Sequence, residues 1–365
     1  MKPLSDGLRI IECSGTAYEI GLQYGAASKD NLRKALDLLI CGLKQSQVQP
    51  HVDRGTIRES ARKYFENVRA FDPEGLERIR GVADGADISF DDVFAVNCYT
   101  ELVINYPNLA GMCTSFALAG PATKDGLTIL GQNIDWHPET PLDLLHIKHS
   151  DGLEQLSIAF FGAPCYSLTS AGIGNSANLT LSPMGPVTTH IPLSFYLYSA
   201  MRKQSFGEAF EVLQRTARGI GYYHLADAAG NMGGIESVYD GYTVLEPDRG
   251  VMVHANHYET SDYAESDGAH MYIQDSFQRA PRLRKLIDEH YGMLTPEIMM
   301  TLLADHDGYP NSICRHADAS KPPEFASVSM ASVIMTPAER KMYLSLGPPC
   351  GNKYQEYSLG EKNSR

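Results

Sequence analysis

A chain of 365 residues, 43% of them hydrophobic, can bury one large core or two ordinary ones, which excludes a disordered or fibrous protein. With 44 Asp plus Glu against 31 Lys plus Arg the net charge is −13, so neither nucleic acid nor an anionic membrane is an expected partner. No apolar run of about 18 residues and no signal peptide stands out, and the seven cysteines form no Cys-x-x-Cys pair; the expectation is a cytoplasmic protein without disulfides, metal or cofactor.

Residues 8–13 read as a short strand, after which Thr16 and Glu19 signal the start of a helix running to about Gln45. A second helical region spans Thr56 to Gly85, interrupted at Asp72-Pro73, and Ser89 caps a helix from Phe90 to about Leu102. A helical first third therefore precedes the first long strands, 111–117 and 131–136, which are joined through the turn signal Lys124-Asp125-Gly126. Downstream, Leu156–Phe161 and Ser170–Leu181 read as strands, His190–Gln214 as helical, and Tyr223–Glu236 as a hairpin turning at Ala229-Gly230-Asn231. Strands follow at Tyr242–Leu245 and Val251–Ala255, then helices at Ile273–His290 and Thr295–Asp305. A last strand pair, Phe325–Met335 and Lys341–Leu346, encloses the turn Thr336–Arg340.

The chemistry concentrates at the hairpin around Asp125-Gly126. Cys113 opens its first strand and Asp135 closes its second, and in an antiparallel pair those two ends lie side by side. A buried free cysteine is by itself a small apolar side chain, so its surroundings must argue its chemistry. His254-Ala255-Asn256-His257 follows a strand, and its two histidines lack a third ligand at helical spacing, which argues against a metal there. The run Asp305-His306-Asp307-Gly308-Tyr309-Pro310-Asn311-Ser312-Ile313-Cys314-Arg315 holds metal-ligand residue types, but Gly308 and Pro310 make it a tight loop, read as structural or pocket-lining.

Taken in order, these segments resemble the isopenicillin N acyltransferase family, also called acyl-coenzyme A:6-aminopenicillanic acid acyltransferases, among the cysteine N-terminal-nucleophile (Ntn) hydrolases. Residues 15–25 are similar to G-T-P-x-E-I-G-x-x-H-G, 131–136 to G-Q-N-x-D-[FW], and 254–257 to H-T-N-H. Residues 275–282 are similar to D-S-x-x-R-x-x-R, 305–315 to D-H-x-x-Y-P-x-S-I-C-R, and 347–350 to a closing G-x-P-C. The resemblance implies an α+β fold of four αββα layers. Residues 1–112 would be a propeptide-like helical segment and 113–365 the nucleophile-bearing segment of one Ntn domain, staying associated after self-cleavage at Met112-Cys113.

By the same resemblance Cys113 is the nucleophile and, through its new α-amino group, the general base. Asp135 holds that amine or the sulfur in place, Asn256 donates to the oxyanion, and Arg279 sits near the thiolate and lowers its pKa. One serine of the late strand (Ser327, Ser329 or Ser332) belongs near the site. Ser182 stands where hydrolase relatives place a second oxyanion asparagine, which leaves that donor to a backbone N–H. Two features depart from the family: Met112 stands where glycine usually precedes the cysteine, and the C-terminus Glu361–Arg365 is not a peroxisomal address. Three functions follow as readings: transfer of an acyl group from a coenzyme A thioester or an amide to an amine, hydrolysis of a small N-acyl or β-alanyl amine, and binding without catalysis by an uncleaved chain. The partners implied are a small acyl donor and an amine acceptor, with coenzyme A entering as a substrate only.

Overall fold

Thr16 starts the first helix as its sequence suggests: its hydroxyl accepts from the Glu19 amide at 3.3 Å, and the Glu19 carboxylate accepts from the Thr16 amide at 2.8 Å. In this computed structural model residues 8, 10–45, 51–103, 112–182, 190–215, 221–239 and 241–360 are described. Gly111 and the C-terminal residues 361–365 lie outside them.

Strand β1 (Ile10–Gly15) leads into α1 (Ala17–Ala27) and α2 (Lys29–Gln45). The single helix expected here is two, because the chain turns at Ser28, whose hydroxyl is drawn with that of Tyr24 and the side-chain amide of Asn31 onto the Asp143 carboxylate. Next come α3 (Arg54–Arg62), α4 (Phe65–Phe71), α5 (Pro73–Ala86), α6 (Phe90–Asn97) and α7 (Tyr99–Val103). Asp72 caps α5 by accepting from the Gly75 amide at 3.0 Å, with Pro73 in the first turn where no amide is needed.

The strands β2 (Met112–Gly120) and β3 (Gly126–Trp136) form the expected hairpin. Then follow β4 (Leu142–His149), β5 (Glu154–Phe160), β6 (Ala163–Thr169) and β7 (Ile173–Asn178). Neither β4 nor β6 is anticipated by the sequence reading, since Pro164 near the start of β6 speaks against a strand interior. The long strand expected over Ser170–Leu181 shortens to β7 because Gly172 turns the chain with φ +78°. Helices α8 (Leu193–Ala200) and α9 (Phe206–Gln214) replace one helical region, with Ser205 capping the second. The chain continues through β8 (Gly221–Asp227), β9 (Met232–Val238), β10 (Gly241–Leu245), β11 (Val251–His254) and α10 (Ala269–Tyr272). It ends with α11 (Ser276–Glu289), α12 (Pro296–Leu302), β12 (Val328–Thr336), β13 (Lys341–Leu346) and β14 (Gln355–Ser358).

Two sheets result. The first has eight strands in the order β1-β4-β5-β6-β7-β8-β9-β10, and the second six in the order β11-β2-β3-β12-β13-β14. They face each other through β2 and β3 against β7 and β8, while α1, α8 and α9 cover the first sheet and α11 and α12 the second. The fold is therefore α+β with four layers, αββα. Alternation along β2 separates two cores: Ala117 and Ala119 join the cluster between the sheets, whereas Phe116 and Leu118 join Leu283, Ile287 and Leu294 under α11 and α12.

Gly21 of α1 and Gly81 of α5 serve helix packing. A Cβ on Gly21 would lie 2.1 Å from the Arg78 carbonyl oxygen and one on Gly81 2.1 Å from that of Tyr18, so α1 and α5 approach backbone to backbone. Among the described residues no helix is long and apolar enough to cross a membrane.

Candidate active site

Pairing of β2 with β3 sets Met112 opposite Asp135 and Cys113 opposite Ile134. The motif Gly131-Gln132-Asn133-Ile134-Asp135 then distributes its side chains by strand alternation. Gly131 must lack a Cβ, which would meet the Val333 carbonyl oxygen of β12 at 2.2 Å. Gln132 points between the sheets, where its side-chain oxygen accepts from the Ala177 amide at 3.0 Å. Asn133 points to the other face and donates to the carbonyls of Leu303 at 2.9 Å and Ile313 at 2.8 Å. Asp135, fully buried, accepts from the Ser329 hydroxyl at 2.7 Å and lies 3.5 Å from the Arg315 Nε.

Cys113 is held by its own backbone. Its amide donates to Asn256 Oδ1 at 2.8 Å, and its carbonyl accepts from Arg279 at 2.6 Å. The same guanidinium donates to Thr114 Oγ1 and to Asn256 Oδ1, both at 2.8 Å, and its Nε to Asp275 at 2.6 Å. Asp275 also receives Arg315, whose remaining nitrogen reaches Asn311 Oδ1 at 2.5 Å. Two carboxylates and two guanidiniums, Asp135, Asp275, Arg279 and Arg315, thus neutralise each other in a water-poor layer beneath the start of β2, which is the condition under which buried ions are tolerated.

The structure brings Cys113, Asp135, Asn256 and Arg279 into this one cluster. It adds Arg315 and Asp275, which stand inside quoted motifs but carry no catalytic part in the sequence reading. Among the three late serines, Ser329 is the one on Asp135; Ser332 instead accepts from Tyr354 at 2.6 Å. Asn256 turns its side-chain oxygen toward Cys113, while its Nδ2 donates to the Leu179 carbonyl at 2.8 Å and its amide to Ser276 Oγ at 2.6 Å. His254 bonds Glu236 at 2.8 Å and stacks on Tyr222, and His257 bonds Ser276 Oγ at 2.8 Å, so these histidines frame Asn256 from two sides. Ser182 lies four residues beyond β7, whose last residue, Asn178, is the amide nearer the nucleophile strand. Its Oδ1 accepts from Ser115 Oγ at 2.5 Å, and its buried Nδ2 has no acceptor among the described residues.

Burial pushes the Cys113 thiol up to about 12, helped by the Asp135 charge and opposed by the Asp135 amide and by Arg279 and Arg315. The guanidinium of Arg279 therefore acts in the expected direction but does not prevail in the uncleaved chain. Burial also raises Asp135 to about 6, against the pull of Arg315, Arg279 and the Ser329 hydroxyl.

The sequence model of the acyl-coenzyme A:6-aminopenicillanic acid acyl-transferase family matches residues 122–350, more than half of the chain. The chain belongs to this family. The match contains Asp135, Asn256, Arg279 and Arg315 and begins after Cys113. Over 356 residues the chain is 26% identical to the acyl-coenzyme A:6-aminopenicillanic-acid-acyltransferase 40 kDa form of Emericella nidulans, covering 93% of this chain and 92% of that one. It is similar to a mutant form of the conjugated bile acid hydrolase from Clostridium perfringens, with TM-score 0.48 and 14% identity, over 69% of this chain and 100% of that one. It is also similar to a penicillin V acylase from Agrobacterium tumefaciens, with TM-score 0.46 and 11% identity, over 64% of this chain and 83% of that one. A member of the acyl-transferase family, the chain is an enzyme of acyl-group chemistry.

Proposed function

We propose that the chain is an N-acyltransferase working through a thioester on Cys113, made as a precursor that cuts its own Met112-Cys113 bond into segments 1–112 and 113–365. The observation that carries this reading is the double clamp on Cys113: Asn256 holds its nitrogen at 2.8 Å and Arg279 its carbonyl at 2.6 Å. A residue fixed at both backbone atoms is one whose nitrogen can change from amide to amine without losing its place.

In the cut, Cys113 Sγ attacks the Met112 carbonyl carbon, the amide C–N bond breaks, and the nitrogen takes the thiol proton. Water then hydrolyses the thioester, leaving a carboxyl on Met112 and a free α-amino group and thiol on Cys113. That amine, with an ordinary pKa near neutrality, is placed to take the thiol proton when Sγ attacks an acyl donor. The donor is a coenzyme A thioester or an amide, and its thiol or amine departs with the proton. An acceptor amine then attacks the acyl-enzyme. Asp135 orients the new ammonium, Asn256 keeps its side-chain oxygen on the Cys113 nitrogen, and Asn178, whose Nδ2 has no acceptor among the described residues, supplies a side-chain amide toward the tetrahedral oxyanion, a contribution of about 3–4 kcal/mol in comparable sites. Transfer over hydrolysis is favoured by the family match, to an acyl-transferase model over residues 122–350 and to an acyltransferase over 93% of the chain.

The test is to incubate the protein with acyl-coenzyme A donors of graded chain length and weigh the Cys113-bearing fragment. An acyl adduct that discharges faster with added amine supports transfer. An adduct that discharges at one rate with or without amine supports amide or thioester hydrolysis. An uncut chain that takes no acyl group is the result expected of a binding protein.

A further inference from the structure

The loop between α12 and β12 and the turn between β13 and β14 converge on one point outside the catalytic cluster. There His306, Cys314, His316 and Cys350 place one Nε2 or Sγ atom each, all within 4.8 Å of one another. His316 Nε2 lies 3.1 Å from His306 Nε2, 3.6 Å from Cys314 Sγ and 3.5 Å from Cys350 Sγ. A ring nitrogen has one proton or one lone pair, so hydrogen bonding satisfies one of these three neighbours and not all three. A cation at their centre would satisfy all of them. For zinc, with Zn–N of about 2.05 Å and Zn–S of about 2.3 Å in a tetrahedron, N···N is about 3.3 Å and N···S about 3.6 Å. The three distances fall within a few tenths of an ångström of those edges.

We infer that His306, Cys314, His316 and Cys350 form a structural Cys2His2 site for a thiophilic divalent cation of the zinc class. Nothing in the proposed acyl chemistry requires the site, and the expectation of a metal-free chain, drawn from the lack of a Cys-x-x-Cys pair, does not reach it: the ligands come from segments 34 residues apart at their widest gap. Four protein ligands leave no open position, which marks a closed structural site and not a catalytic one. Its place in the fold gives it a task. Arg315 stands between the ligands Cys314 and His316, and its main chain is fixed to β12 by Ser329, whose hydroxyl accepts from the Arg315 amide at 2.9 Å and whose amide donates to the Arg315 carbonyl at 3.1 Å. The cation would tie this loop to the β13–β14 turn and so keep Arg315 aimed at Asp135 and Asp275.

The experiment uses the full chain purified under reducing conditions without chelator. Elemental analysis is expected to find about one zinc per chain. Exchange with Co2+ is expected to give the intense visible bands of tetrahedral cobalt and a thiolate charge-transfer band. His306→Ala and Cys350→Ser change two exposed ligands, and each is expected to lose bound metal while keeping the far-ultraviolet circular dichroism of the parent. The inference is overturned by a folded wild-type chain that neither contains zinc nor takes it up from a zinc buffer. It is equally overturned by metal that both variants retain.

Discussion

Replacing Arg279 by Met keeps volume and removes the guanidinium that is hydrogen-bonded to Cys113, Thr114, Asn256 and Asp275. Charged hydrogen bonds contribute about 1.5–3 kcal/mol each, so four would suggest a very large loss. Two of the acceptors keep a partner, however: Asp275 retains Arg315, and Asn256 Oδ1 retains the Cys113 amide. The loss should therefore match that of breaking one buried ion pair, about 3–5 kcal/mol. With an unfolding entropy of about 2.1 cal/mol/K per residue over 365 residues, that lowers the melting temperature by about 4–7 °C. Calorimetry of Arg279→Met in a Cys113→Ala background, where no cut can occur, measures it directly. Arg279→Lys should recover little, since an ammonium keeps the charge but cannot reach the main chain of β2 and the Asp275 carboxylate together. A shift below about 1 °C for Arg279→Met would refute the claim that this side chain clamps the nucleophile residue.

Two further outcomes are expected. Gly81→Ala should cost about 1–3 kcal/mol, because its Cβ would lie 2.1 Å from the Tyr18 carbonyl oxygen and 2.8 Å from the Leu22 amide nitrogen, and neither backbone atom can step aside. Gly207→Ala in α9, with nothing within 4 Å of its Cβ, should be neutral or stabilising by up to about 1 kcal/mol; equal stability of the two variants would contradict the close approach of α1 and α5. Asp135 has its folded pKa raised from 3.8 to about 6, chiefly by burial, so the folded state binds the extra proton and its stabilising contribution is lost as pH rises from about 4 to about 6. Relative to Asp135→Asn, measured in the same Cys113→Ala background, the parent should lose up to about 3 kcal/mol across that window. A parent that gains over the variant with rising pH would mean that Arg315 outweighs burial at this carboxylate.

The hairpin carrying Cys113 and Asp135 was legible because an Asp-Gly turn and two β-rich runs are local signals. The division of α1 from α2 was not, since the helix pattern continues through Ser28 and the cause of the turn, Asp143, lies more than a hundred residues away. The same limit hid β4, whose partners include β1 across the whole helical segment, and β6, which Pro164 disguises. At the site, Cys113, Asp135, Asn256 and Arg279 stand in motifs with chemistry-bearing residue types, and the structure brings them together. Arg315 and Asp275 stood in the same motifs but read as loop and helix-start residues, because what singles them out is the charge each faces across three elements. Asn178 gave no signal at all: an asparagine at a strand end is an ordinary turn residue until Ser115 and an unanswered amide are seen beside it. Nor could spacing reveal the four-ligand cluster, whose last member comes from the turn after β13.

The proposal that Cys113 is an N-terminal nucleophile stands or falls on its chemical state in the purified protein. Intact mass and N-terminal sequencing of the wild type beside Cys113→Ala decide it. Two associated fragments are expected from the wild type, of about 12 and 28 kDa when mass is divided by length, the larger beginning at Cys113, and a single uncut 40.1 kDa chain from the variant. A wild type that stays whole, or a variant that is cut at the same bond, would contradict it.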